Sequence, residues 1–295
     1  MTVIEEPGAP ILIPTRDEAK IARRERLRLL FRSPTFVIGL VILGFWVVCA
    51  IFGTQIAPQN PQADDILNKL APPSGDHLFG TDRLGRDVLS RVIVGAREIL
   101  IMAPLATLLG TILGTAIGLA TGYYRGFADE ASMRLVDALL SVPVIITALL
   151  AIVALGPTRI TIILVIALVF GMIITKTVRA AVLSERELDY VQAARLRNER
   201  GPYIMVAEIL PNVTGPIIVE FTVRLGYAIF TIATLAFLGF GADPSIPDWG
   251  TDISEHYPFI SAGVWWAVLF ASLAIASLIV AINLIADAIA QTFER

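Results

Sequence analysis

Two histidines are the first residues to test for chemistry. His77 stands beside Asp76 and close to Asp82, and His256 stands beside Glu255 and close to Asp252, a mixture of types that could ligate a cation or move a proton. Metal binding would need a convergence of donors that neither spacing supplies, so both read as solvated loop histidines and no metal centre is expected. A phosphate loop of the form GxxxxGK[ST] is absent. The nearest stretch, Gly171-Met172-Ile173-Ile174-Thr175-Lys176-Thr177, lacks the glycine before lysine. The chain therefore reads as a non-enzyme without a cofactor, and if it moves a solute uphill with ATP, another polypeptide must hydrolyse the nucleotide. The single cysteine, Cys49, lies in Trp46-Val47-Val48-Cys49-Ala50 and reads as a buried apolar residue. Glu220 and Arg224 are different, because both fall inside an apolar stretch. Their i,i+4 spacing puts them on one helix face, glutamate first, the order that favours pairing. A charge at the centre of a membrane helix costs about 2.5–3.5 kcal/mol on insertion scales, more than such a pair returns, so that face must also meet water or another polar group. An ion pair packed against another membrane subunit and a polar patch on a solute path both fit.

The elements that hold these residues are membrane helices. Of the 295 residues 56% are hydrophobic and only 17% charged, and the mean hydropathy is +0.74. Soluble enzyme folds are excluded by apolar runs too long and too uncharged to cover a water-soluble core. The net charge of −3 gives a nucleic-acid role no support. About 20 apolar residues cross the roughly 30 Å hydrocarbon layer, and six segments qualify, near 35–56, 99–123, 135–156, 160–176, 213–240 and 264–290. The first reads as an uncleaved anchor behind a polar tail at 1–34.

Lys and Arg fix an orientation, because positively charged flanks stay in the cytoplasm. With the amino terminus inside, sixteen of the 23 fall on the inner side, including Arg16, Arg23, Arg186, Arg195 and Arg197, and six on the outer side. Both termini are then cytoplasmic. The outer loop at 57–98 ends in Val88, Leu89, Val92, Ile93 and Ala96 at helical spacing, which suits a short helix along the outer interface. The outer loop at 241–263 carries Pro244, Pro247 and Trp249, and with Trp265 and Trp266 these tryptophans fit an interfacial belt. In the second span Gly110, Gly114, Gly118 and Gly122 make a small-residue stripe that lets another helix approach closely.

The inner loop at 177–211 is the most informative piece. Ala193 and Ala194, flanked by Tyr190, Leu196 and arginines, suggest a short helix with a compact surface against which another protein could dock. Asn198 suits a left-handed helix stop. On these residues alone a cytoplasmic helix–turn–helix and a solvated linker are equally good readings.

Tyr190-Val191-Gln192-Ala193-Ala194-Arg195 followed by Ile209-Leu210-Pro211-Asn212 resembles the EAA loop of the permease subunits of bacterial ATP-binding-cassette importers. Three further blocks, Leu78 to Arg91, Phe237-Leu238-Gly239-Phe240-Gly241 with Trp249-Gly250, and Asn283-Leu284-Ile285-Ala286-Asp287, are similar to the dipeptide/oligopeptide/nickel branch, second permease type. The resemblance covers about residues 30–292. Gln192 stands where the family usually has glutamate, and Asn198 where it usually has glycine. The resemblance implies an all-α membrane protein of six transmembrane helices in the bacterial cytoplasmic membrane, with a permease region over 35–292 and a coupling helix in the loop between spans four and five. Tyr190, Gln192, Ala193, Ala194 and Asn198 would lie at or beside an ATPase contact. It further implies a second permease, two ATPase subunits and an extracytoplasmic solute-binding protein, with peptide as the solute, nickel or another small solute as an alternative, and an autonomous secondary transporter as the different-class alternative. Neither Glu220 nor Arg224 belongs to the matching blocks, so the resemblance assigns them nothing.

Overall fold

The computed structural model describes residues 30–241 and 246–293. Most of the basic tail, together with Pro244 and Arg295, lies outside them. The described residues form nine main helices and no strand: α1 Pro34–Ile56, α2 Val88–Tyr124, α3 Phe127–Leu140, α4 Val144–Leu155, α5 Arg159–Glu185, α6 Asp189–Leu196, α7 Gly201–Phe240, α8 Trp249–His256 and α9 Trp266–Phe293. Five of these, α1, α2, α5, α7 and α9, are long and apolar enough to cross a membrane, and the bent pair α3 and α4 makes a sixth crossing if counted as one. Helices dominate because hydrocarbon offers backbone N–H and C=O groups no partner, and a helix satisfies them within one segment.

Three expected boundaries change. The interfacial helix ending the first outer loop and the second span are one 37-residue helix, α2, because nothing between Ala96 and Ile99 breaks it. At 1.5 Å per residue α2 is about 55 Å long and must project well beyond the hydrocarbon. The third span is not straight. It breaks at 141–143 with an 88° bend, since Pro143 pushes Val142 out of the helical region. Much of the supposed inner loop is helical as well, α5 running on to Glu185 and α7 starting at Gly201.

The centre of the bundle is the contact of α2 with α5. A Cβ on Gly110 would meet the Ala167 carbonyl at 2.8 Å, one on Gly114 the Gly171 carbonyl at 2.5 Å, and one on Gly118 the Thr175 carbonyl at 2.9 Å. The glycine stripe is therefore a backbone-to-backbone seam, as expected from its spacing. Next to one end of the seam Arg179 of α5 forks onto Asp129 of α3, Nε to Oδ1 at 2.6 Å and Nη2 to Oδ2 at 2.7 Å, which pins the broken span to the seam. Cys49 is buried, as expected.

At the opposite end the long loop folds into a cap held by buried charge. Asp82 accepts from the Leu84 and Arg86 amides at 2.7 and 2.9 Å and from Arg86 Nε at 2.6 Å. Arg91 donates from Nε to Asp252 Oδ1 of α8 at 2.9 Å and lies 3.7 Å from Asp82 Oδ2. His256 is buried rather than solvated: its Nδ1 donates to the Asp252 carbonyl at 2.6 Å and its Nε2 accepts from the Arg83 amide at 3.2 Å. His77 is largely covered and meets Asp87 Oδ1 at 3.1 Å. His256 is structural because the loop folds back on α8, and His77 because the loop folds on itself to bring Asp87 and Gln59 to the ring, neither of which local spacing reveals. Trp249 and Trp266 likewise leave the expected belt for the interior, donating to the Val92 carbonyl at 2.8 Å and the Thr81 carbonyl at 2.9 Å, whereas Trp265 stays exposed.

Replacing Gly114 by leucine should force α2 and α5 apart and destabilise the chain by about 1–3 kcal/mol, the usual cost of overpacking. Thermal unfolding of the purified protein in detergent should show a lower midpoint for Gly114→Leu. Gly44→Leu, where no atom lies within 4 Å of the new Cβ, should leave the midpoint unchanged.

Candidate functional site

Two features stand outside the structural core: the short helix α6 with its turn, and one uncovered face of α7. Helix α6 is amphipathic. Val191 and Ala194 are fully buried on Val178, Val182, Ile204 and Ile209, while Asp189, Ala193 and Leu196 line the opposite face at i, i+4 and i+7. Leu196 is 89% exposed, an apolar side chain offered to solvent at the end of a polar helix.

The seating of α6 is specified by polar contacts within the chain. Tyr190 donates its hydroxyl to Glu185 Oε2 at 2.7 Å and accepts from Asn212 Nδ2 at 3.1 Å, tying the ends of α5 and α7 together. Burial first, and then the bond to Glu185, push the phenol up to about 12, so it remains a donor at physiological pH. Gln192 Nε2 donates to the Arg186 carbonyl at 3.3 Å, and Arg186 Nη1 donates to the Tyr123 carbonyl at 2.6 Å, closing the end of α2. Asn198 adopts φ of +61°, and its amide donates to the Arg195 carbonyl at 2.9 Å. The left-handed stop expected there is present, made by the non-glycine residue that tolerates it best.

Of the five residues expected near a docking surface, Ala193 and Asn198 are exposed, and Tyr190 and Gln192 are half-buried with partners inside the chain. Ala194 faces the core. Burying it is what lets α6 sit on α7, so the compact surface is made by Ala193 without its neighbour. Leu196 lies outside the expected five. Its signal in the sequence is an apolar residue in phase with Asp189 and Ala193 on the polar side of the helix.

On α7, Glu220 and Arg224 do pair: Arg224 Nε donates to Glu220 Oε1 at 2.7 Å, and the guanidinium lies 5.4 Å from the Tyr227 ring centre. Pro216, Glu220, Val223, Tyr227, Phe230, Thr234 and Phe237 alternate by four and three residues along one side, and this stripe is exposed or half-buried throughout. Such spacing follows one helix face. Tyr227 and Phe230 are each more than half exposed.

Residues 114–295 match the family model described as the binding-protein-dependent transport system inner membrane component. The chain belongs to this family of membrane permeases. Residues 23–73 separately match the N-terminal transmembrane domain of oligopeptide transport permease C, so the two matches together take in most of the sequence. Among similar proteins, the dipeptide transport system permease protein DppC of Escherichia coli (strain K12) is 39% identical over 271 residues, covering 89% of each chain. A putative peptide transport system permease protein of Brucella suis biovar 1 (strain 1330) is 38% identical over 267 residues, 90% of each. The DppC protein of Alkalihalophilus pseudofirmus is 33% identical over 291 residues, covering 98% of this chain and 94% of its own. Proteins of this family and the relatives above are transport permease subunits.

Arg224→Leu should leave the Glu220 carboxylate without its partner in a partly covered site, at a cost of about 1–3 kcal/mol. The purified protein should melt lower, and adding Glu220→Gln should recover most of the loss. A wild-type midpoint for Arg224→Leu would show that the pair contributes nothing to stability, and equally lowered midpoints for the single and double variants would show that the unpaired carboxylate is not the cause.

Proposed function

We propose that this chain is one permease of an ATP-driven peptide importer, forming half of the solute path beside a second permease and coupled through α6 to partner ATPases. The observation that carries the reading is the length over which relatives named for dipeptide transport align, nearly the whole chain and not one domain. The geometry of α6 supports it. A helix whose inner face is built into the bundle, and whose outer face offers Ala193 and Leu196, can receive a force from a docked protein without deforming. In this reading Ala193, Leu196 and Asn198 meet the ATPase, while Tyr190, Gln192 and Ala194 hold the helix for that contact.

The α7 stripe is the path-facing surface. Peptides carry an ammonium and a carboxylate end, and Glu220 with Arg224 offers the complementary charges at one level of a helix. Closure of the ATPases on ATP would rock the two permeases between inward-open and outward-open states, the alternating-access scheme. Both termini are placed in the cytoplasm and the charged cap outside, where a solute-binding protein would deliver its cargo.

Two measurements test this. Leu196→Glu and Ala193→Arg should leave membrane insertion and thermal stability unchanged but abolish co-purification of the ATPases and dipeptide uptake. Ala194→Arg should instead destabilise the chain itself, since no space exists at that position. Uptake at the normal rate by Leu196→Glu would remove α6 as the coupling element. For orientation, a cysteine introduced at Gly75 should react with a membrane-impermeant thiol reagent added to intact cells, and one introduced at Leu196 should not. The native Cys49 is shielded. Labelling at 196 from outside would invert the topology.

A further inference from the structure

Both ring nitrogens of His256 meet backbone, and the residue is only 1% exposed. Nδ1 lies 2.6 Å from the Asp252 carbonyl, a group that can only accept, and Nε2 lies 3.2 Å from the Arg83 amide, a group that can only donate. One form of the ring satisfies both contacts: neutral imidazole with its hydrogen on Nδ1 and a lone pair on Nε2. A second proton would turn Nε2 from acceptor to donor. Two N–H groups would then face each other, and the bond by which the ring holds the loop between α1 and α2 would be lost.

The charges around the ring are already balanced without that proton. Among the described residues α8 supplies Asp252 and Glu255, the loop supplies Asp82, Arg83 and Arg86, and α2 supplies Arg91, so three carboxylates are matched by three guanidiniums. From α9 come Ala267 and Ala271, which carry no charge. The cavity beside the ring, of about 10 Å³, has room for one water at most, too little to solvate an imidazolium. His77 is placed the other way. Its Nδ1 faces the Asp87 carboxylate at 3.1 Å, so a proton on that ring completes an ion pair and tightens the loop.

The packing defines what a proton on His256 would release. Helix α8 is clamped independently of the loop: a Cβ on Gly250 would collide with the Ala233 carbonyl of α7, and Trp249 donates to the Val92 carbonyl of α2. The segment 82–86 reaches α8 through the Arg83 amide on His256 and through Arg83 and Arg86 on Glu255, which is partly exposed. We propose that His256 is an acid-released latch of the cap: neutral, it pins segment 82–86 to α8, and on taking up a proton it lets that segment go while α8 stays on α7 and α2. The released ring can hold a proton that the closed one cannot, so protons favour release. The closed form therefore prevails above the ordinary titration range of imidazole, about pH 6.5, and is lost as pH falls through it. Coupled to one proton, the open fraction grows about tenfold for each pH unit below that range. The latch does not depend on orientation; the compartment whose acidity drives it does, and in the proposed orientation that is the outer one.

The test is hydrogen exchange of the purified full chain in detergent, carrying an affinity tag without histidine so that His77 and His256 are the two histidines present. Peptides covering 81–88 and 249–256 are followed at about pH 8 and about pH 5.5, either side of the imidazole range, with rates corrected for intrinsic exchange. In the wild type the protection of 81–88 should fall about tenfold or more between the two, while 249–256 keeps its own. His256→Gln, which retains a donor and an acceptor and does not titrate, should protect 81–88 equally at both pH values, whatever the absolute level. His77→Gln and Glu255→Gln should each keep the wild-type response. Should His256→Gln fail to fold, these two controls decide: a response centred in the imidazole range that persists in both sustains the latch, and one abolished by either removes it. Equal wild-type protection at the two pH values overturns the proposal. So does a response that survives in His256→Gln, or a release that takes α8 with it.

Discussion

The close approach of α2 to α5 sets the terms for everything else in the structure. Lipid tails are as apolar as leucine, so no hydrophobic force drives helices together inside a bilayer, and association depends on contact area and on polar groups that find each other. Four glycines on α2 let its backbone lie against the carbonyls of Ala167, Gly171 and Thr175, giving the largest possible dispersion contact per turn. Because α2 is far longer than the hydrocarbon is thick, the seam also fixes structures at both ends. On one side the Tyr123 carbonyl receives Arg186, and the same arginine's carbonyl receives Gln192 of α6. On the other side Asp87 caps α2 at the Ser90 amide, and Arg91 reaches Asp252 on α8.

Charge is used differently at the two ends. In the cap, Arg91, Asp82, Asp252 and His256 are nearly inaccessible to water, and removing one partner of such a cluster costs about 3–5 kcal/mol, because an uncompensated charge remains. That cost makes the cap a rigid body joining α2, α8 and the loop between α1 and α2. Around α6 most charged side chains are more open, such as the pair of Arg197 with Glu199, and contribute little to stability. What holds α6 is apolar burial of Val191 and Ala194, with Tyr190 and Gln192 fixing its rotation.

The class of fold is legible in the sequence because length and hydropathy decide it, and the glycine stripe, the buried cysteine and the Asn198 turn are legible because each rests on a local rule. Glu220 and Arg224 are legible as a pair because four residues on a helix is a fixed distance. The departures share one cause. Sequence offers only the near neighbours of His256, Trp249 and Trp266 to judge them by, and their partners are distant: His256 meets the Arg83 amide, Trp249 the Val92 carbonyl and Trp266 the Thr81 carbonyl, while His77 needs only the fold of its own loop to reach Asp87. Ala194 falls between these cases. Its burial follows from helical phase with Val191, but only once the partners on α5 and α7 are known, since two faces of an eight-residue helix have similar apolar content. Pro143 does carry the break in the third span, and residue composition averaged over that span conceals it.

The placement of α6 has a mechanical consequence. Val191 and Ala194 belong to one buried cluster with Val178 and Val182 of α5 and Ile204, Ile209 and Val213 of α7. Close-packed interiors transmit displacement instead of absorbing it. A push on the exposed face of α6 therefore moves the ends of α5 and α7 together, and α5 carries α2 with it through the glycine seam. The first turns of α7 include a π segment at Ile204–Ile209, where hydrogen-bond register is already relaxed. That segment is the natural place for the uncovered stripe of α7 to tilt relative to α6, which would turn Glu220, Arg224 and Tyr227 while leaving the buried-charge cap on the far side intact.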